Sequence, residues 1–290
     1  MMDNKKSFTQ YLLLLIISVL SSCNARTQSN NCDKKDTLNY IPTQNGCLYV
    51  RTFKSDSIGL NSNLLIVIHG DTPFNPPSYQ YKLSKKISEQ VKNTVIASIL
   101  RPGYKDNEGN KSDGKRGLTT GDNYTEEVIN SLTSVIKELK NRFKPSRTLI
   151  IGHSGGAAIS ANIVSLTPNL ADKAILVSCP CDVEAFRKSM ALKQPFYGAW
   201  GDSVKSISPI NIINKLDIRA DITLIHGQQD DIVPFEIAET YYEQLKSYNI
   251  KTKMIKVENA RHEILLSDTV ISIIKSKLIE EQNNRNTTNR

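Results

Sequence analysis

Apolar positions along the chain gather into short runs of strand length, separated by stretches with a helical period. Residues 48–50, 64–69, 95–100, 148–151, 174–178, 222–225 and 253–257 form the strand-length runs. The clearest helical pattern precedes the fourth of them, where Val128, Leu132, Val135, Ile136 and Leu139 fall on one helical face. Asn123 and Glu126 offer that helix a capping box. A second helix is predicted directly after Ser154, a third over 237–247 and a closing one over 270–278. Strand–helix alternation implies an α/β architecture with a mostly parallel central sheet. Several strand runs are apolar on consecutive positions, as strands are when helices cover both faces of the sheet.

The ends of the chain depart from this pattern. Lys5 and Lys6 precede an apolar run over 11–20, which reads as a secretory signal peptide. At about half the ~20 residues needed to cross a bilayer, the run targets the chain and does not span. Leu20-Ser21-Ser22-Cys23 resembles the lipobox of bacterial lipoproteins, which implies cleavage before Cys23, acylation of that cysteine, and a place on the bacterial cell envelope facing the periplasm or the outside. Residues 24–46 are rich in Asn, Asp, Thr and Gln without an apolar period, so 23–46 reads as a lipidated N-terminus and polar tether. The folded domain is expected over 47–279, and the polar stretch 280–290 is expected to fray. Two connections are longer than a compact α/β unit needs. Residues 104–121 read as an exposed polar loop, and 180–216 hold the only tryptophan, Trp200. Both leave the carboxyl edge of the sheet, where ligands bind in open α/β folds, and each is a candidate lid.

Composition narrows the function classes. Losing residues 1–22 leaves 268 of 290 residues, one α/β domain with a large core, and takes the formal charge from +8 to +7. The basic residues are scattered and no basic run is interleaved with aromatics, so no nucleic-acid partner is expected. Of the five cysteines, Cys32 and Cys47 bracket the polar stretch before the first strand and are candidates for a disulfide stabilising by roughly 3 kcal/mol. Cys179 and Cys181 end an apolar strand and read as packed side chains. No second ligand pair stands near them, so neither metal nor cofactor is called for.

The chemistry centres on Gly152-His153-Ser154-Gly155-Gly156, between an apolar strand and a run of small helical residues. Strand, Gly-x-Ser-x-Gly, helix is the context of a nucleophile elbow, a turn too tight for side chains beside the serine. A serine hydroxyl needs a base, and an imidazole oriented by a carboxylate is the usual one. With the elbow, the acid and then the histidine follow the serine in the chain. Of His69, His153, His226 and His262, only the last two follow Ser154, and His226 ends a strand with no later-strand carboxylate before it. His262 is therefore the candidate base. Asp230 and Asp231 both sit just past the preceding strand, and order alone leaves the two open. Oxyanion donors are expected from the amide of Gly155 and from the loop His69-Gly70-Asp71-Thr72, with Asp71 first and Thr72 second. The Asp71 carboxylate is expected to turn away from the developing charge.

These residues resemble the α/β-hydrolase superfamily, above all catalytic domains of the prolyl oligopeptidase and dienelactone hydrolase type. The resemblance spans about 47–278 and is most specific over Ser208-Pro209, Lys215-Leu216, His226-Gly227-Gln228-Gln229-Asp230-Asp231-Ile232-Val233-Pro234 and Arg261-His262. In that family's His-Gly-x-x-Asp-x-x-Val-Pro pattern the first aspartate is the triad acid, which selects Asp230. His69-Gly70-Asp71 departs from the His-Gly-Gly-Gly of many lipases, and no propeller domain is expected ahead of the hydrolase region. The expectation is a serine hydrolase acting on a small-molecule ester or related acyl bond, with a serine peptidase or amidase as the nearest alternative. A surface lipoprotein that binds without turnover is the rival from another class. Arg101, Lys111, Lys115 and Arg116, in or beside the first long loop, are candidates to meet an acidic substrate.

Overall fold

The computed structural model describes Cys32 and residues 36–288, with backbone only from 280 onward. The expected signal peptide and Cys23 lie outside the described residues. Eight strands form one sheet: β1 (Tyr40–Thr43), β2 (Gly46–Lys54), β3 (Asn63–Ile68), β4 (Thr94–Ile99), β5 (Arg147–His153), β6 (Lys173–Val177), β7 (Asp221–Gly227) and β8 (Lys251–Val257). Their order is β1-β2-β4-β3-β5-β6-β7-β8, parallel from β4 to β8 and antiparallel at β1–β2 and β2–β4. The helices are α1 (Tyr79–Ser88), α2 (Glu126–Phe143), α3 (Gly155–Leu166), α4 (Val183–Lys193), α5 (Phe235–Ser247) and α6 (Asp268–Thr288).

The strand alternation divides the core in two. In β3, Leu64, Ile66 and Ile68 pack with residues of α2, α3 and α5, while Leu65 and Val67 pack with Leu83 and Ile87 of α1 and Val270 and Ile274 of α6. Every residue of β3 and β4 is buried, because helices cover both faces.

All seven strand runs form strands, and the structure adds an eighth. The edge strand β1 lies in the stretch whose polar composition predicts a tether; only Ile41 and Thr43 of its four residues are buried, too short an alternation to stand out. Helix α2 is capped by Thr125, whose hydroxyl accepts from the Val128 amide, and not by Asn123, whose side chain donates to the Lys115 carbonyl. Helix α6 runs past the apolar residues to Thr288. Cys32 and Cys47 are disulfide-bonded, and so are Cys179 and Cys181, which the sequence presented as packed side chains.

The loop over 104–121 is not the free polar loop its composition suggests. Asp106 is buried and its carboxylate accepts from Tyr81 Oη, the Glu108 and Asn110 amides and Asn110 Nδ2. Ser112 Oγ donates to the Leu100 carbonyl. Polar residues here satisfy one another internally, a use that composition cannot distinguish from solvation.

Candidate active site

Strand order reverses at β3, with β4 on one side and β5 on the other, so the loops leaving β3 and β5 open a crevice at the carboxyl edge. Ile68 pairs with Gly152, which sends His69-Gly70-Asp71 and His153-Ser154 out of the sheet side by side. Ser154 sits at φ 53°, ψ −125°, a conformation that costs a non-glycine residue on the order of 1–3 kcal/mol. The flanking glycines make the turn possible: a Cβ on Gly152 would stand 2.1 Å from the Gly156 carbonyl oxygen, and one on Gly156 would stand 2.4 Å from the His69 and Ile68 oxygens. Gly70 has the same kind of role. A Cβ there would come within 2.8 Å of Ser154 Cβ, so the residue permits close approach of the two loops.

His262 follows β8 and Asp230 follows β7, adjacent parallel strands. The Asp230 carboxylate accepts from His262 Nδ1 at 2.8 and 3.0 Å. Asp231 instead pairs with Arg261 at the surface. With Nδ1 committed to Asp230, Nε2 is the ring nitrogen left for the cavity, whose lining includes both Ser154 and His262. No hydrogen bond joins those two side chains among the described residues; such bonds commonly tighten only with substrate. Burial alone would raise the Asp230 carboxyl; hydrogen bonds from His226 and His262 outweigh it and hold the group well below the usual carboxylate range.

The structure adds partners that sequence order did not reveal. His226, excluded as a base, is buried with Nε2 donating to the Val233 carbonyl at 2.9 Å and lying 3.2 Å from Asp230. His153 is placed between Tyr79 and the His262 backbone: Tyr79 Oη donates to His153 Nδ1 at 3.1 Å, and His153 Nε2 donates to the His262 carbonyl at 3.1 Å. Ser178 Oγ donates to the same carbonyl, also at 3.1 Å. His69 Nδ1 donates to the Gly70 carbonyl and Nε2 accepts from the Arg101 amide.

Burial, with the nearby Arg101 charge for His69 and the His262 charge for His153, pushes both histidines down from 6.5 to about 3. Between those values the unfolded chain holds the extra protons, so stability falls as pH drops from about 6.5, by on the order of 1 kcal/mol per pH unit for each histidine. Urea unfolding at about pH 7.5 and 5 should give a clearly lower midpoint at the acid value, and equal midpoints would contradict buried neutral imidazoles.

Asp71 follows β3, and its carboxylate accepts from Arg101 Nη1 at 2.8 Å, Tyr124 Oη at 2.7 Å and the Gly121 amide at 3.0 Å. Burial would raise this carboxyl, but the Arg101 charge and those donors bring it below its ordinary value. Gly155 stands at the first turn of α3, where amides have no partner inside the helix. Thr72 lines the cavity too, its hydroxyl buried without a partner. None of Arg101, Lys111, Lys115 and Arg116 lines the cavity: Arg101 is fully buried behind Asp71, and Arg116 donates to the Pro73 carbonyl. The acidic-substrate expectation loses its basis.

Eight strands of this order, with a strained serine on the β5–α3 turn and an Asp–His pair on the loops that follow β7 and β8, define a serine hydrolase of the α/β-hydrolase fold. Residues 111–278 match the prolyl oligopeptidase family of peptidases, and the chain belongs to that family. No curated protein matches the sequence significantly. Among solved structures, the Pyrococcus furiosus esterase Pf2001 superposes with a TM-score of 0.63 at 17% identity, over 83% of this chain and 88% of that one. Est1E of Butyrivibrio proteoclasticus with ferulic acid bound gives 0.61 at 16%, over 84% and 98%. An acylaminoacyl peptidase gives 0.59 at 14%, over 83% of this chain but 40% of that one.

Proposed function

We propose that the enzyme hydrolyses carboxylic esters through an acyl intermediate on Ser154, with His262 as base, Asp230 as its orienting acid, and the Gly155 and Asp71 amides as oxyanion donors. The observation that carries this reading is the strained Ser154 sharing a cavity with a His262 whose Nδ1 is committed to Asp230. His262 Nε2 takes the hydroxyl proton as Oγ bonds to the carbonyl carbon, and negative charge moves to the carbonyl oxygen. Collapse expels the alcohol, which takes the proton from His262. Water, deprotonated by the same nitrogen, then releases the acid and restores Ser154.

Esters are favoured over peptides because the cavity is apolar, because the Pyrococcus protein is an esterase and because Est1E holds ferulic acid. The peptidase reading draws on the family and on the acylaminoacyl peptidase. Purified chain lacking residues 1–23 is expected to turn over p-nitrophenyl butanoate well above any dipeptide p-nitroanilide; the reverse ranking would replace the ester reading with the peptidase one. Cys23 is further proposed as the lipid anchor that holds the enzyme to the cell envelope. Labelled palmitate should enter the full-length chain, and a Cys23→Ala protein that stays membrane-bound would refute the anchor.

A further inference from the structure

The cavity in front of Ser154 has a volume of about 910 Å³, near the top of the range of small-molecule sites. One wall is built from Phe186 and Met190 of α4 with Trp200 of the following 3-10 turn, over Val233 and Ile237. Tyr197 and Phe186 meet the Trp200 ring edge-on, with centroids 5.9 and 6.4 Å away. At the mouth, Phe74, Leu118 and Phe196 are exposed at 92%, 92% and 101%. Apolar surface of this extent around a site marks something it is built to meet.

The wall is held in place. The buried Arg187 guanidinium donates to the Ala199, Trp200 and Asp202 carbonyls on one side and to Thr119 Oγ1 and the Thr120 carbonyl on the other. It thereby ties the Trp200 turn to the end of the 104–121 loop. Trp200 Nε1 is also fixed, donating to Gln194 Oε1 at 3.0 Å. The segment that looked like a lid is therefore a preformed wall.

Of the charged side chains that line the cavity, two are held by other groups and the third, Glu263, is a carboxylate. Asp71 is paired with Arg101, and the Lys193 ammonium donates to the Asp231 and Ile232 carbonyls. What the interior offers a substrate is mostly apolar surface. Resting on the ester reading above, we infer that the substrate is an uncharged ester whose acyl part is bulky and apolar, medium-chain or aryl-bearing, seated against Phe186, Met190, Tyr197 and Trp200.

The test holds the leaving group constant and varies the acyl group. p-Nitrophenyl acetate, butanoate, octanoate, 3-phenylpropanoate and hemisuccinate are compared below their aggregation limits, with fluorophosphonate labelling of Ser154 as an independent readout of the nucleophile. The expected result is a kcat/KM at least tenfold higher for octanoate or phenylpropanoate than for acetate, and at least tenfold lower for the charged hemisuccinate than for butanoate. Met190→Trp, which fills the wall, should reduce the octanoate-to-acetate ratio at least tenfold in protein that still takes the label. A series that peaks at acetate, or one in which hemisuccinate matches butanoate, would overturn the inference while leaving a labelled Ser154 intact. Loss of labelling in the wild type would instead remove the ester reading on which it rests.

Discussion

Replacing Ser154 with alanine is expected to lower ester turnover about 10⁶-fold, to the background of the assay, with the fold unchanged. The variant keeps the cavity, the Asp230–His262 pair and both oxyanion amides but has no atom to carry the acyl group. His262→Ala should cost about as much, because without a base the hydroxyl remains a poor nucleophile, and the double variant should be little worse than either single one, since the groups act as a unit. Asp230→Asn is expected to cost about 10⁴-fold. Its amide can donate to Nδ1, which would place the ring proton on Nε2, where the serine's proton has to go. Steady-state rates on one p-nitrophenyl ester decide the matter; a Ser154→Ala protein within tenfold of wild type would end the acyl-serine mechanism.

Asp71→Ala is expected to destabilise the fold by about 3–5 kcal/mol, the range for removing one partner of a buried ion pair. The Arg101 side chain is fully buried, and Asp71 Oδ1 is its ionic partner at 2.8 Å; its remaining hydrogen bond is to the His69 carbonyl at 3.5 Å. Nε and Nη2 have no hydrogen-bond partner even in the native protein, although the Tyr104 and Tyr124 rings flank the guanidinium. The same substitution strips acceptors from Tyr124 Oη and the Gly121 amide. For a domain of this size the loss corresponds to a fall in Tm on the order of 10 °C. Adding Arg101→Met should restore much of it, because an apolar side chain needs no counter-charge. A Tm for Asp71→Ala within a degree of wild type would contradict the account of this pair.

The sheet was legible because buried parallel strands read as unbroken apolar runs, and seven of them stood out against polar connections. The elbow was legible because backbone close to backbone leaves no room for side chains, and glycines mark that in the sequence. What stayed hidden has other physical causes. Asp230 and Asp231 are chemically alike and adjacent, and only the turn after β7 brings one inward to His262 while Arg261 holds the other at the surface. Arg101 reads as a solvated cation because nothing local shows that Asp71, thirty residues earlier, lies 2.8 Å away. The His153 link to Tyr79 and the His262 carbonyl depends on three distant segments meeting, for which local patterning has no signal. The Cys179–Cys181 bond was missed because a cysteine ending an apolar strand looks the same packed or paired.

The central claim is that Ser154 alone becomes covalently acylated. Intact-mass analysis after exposure to a fluorophosphonate, followed by tryptic mapping, tests it most directly. The expected result is one adduct per chain, carried on the peptide of residues 148–173, absent from Ser154→Ala and strongly slowed in His262→Ala. An adduct of equal extent on Ser154→Ala, or a folded wild-type protein that takes no label at all, would contradict it.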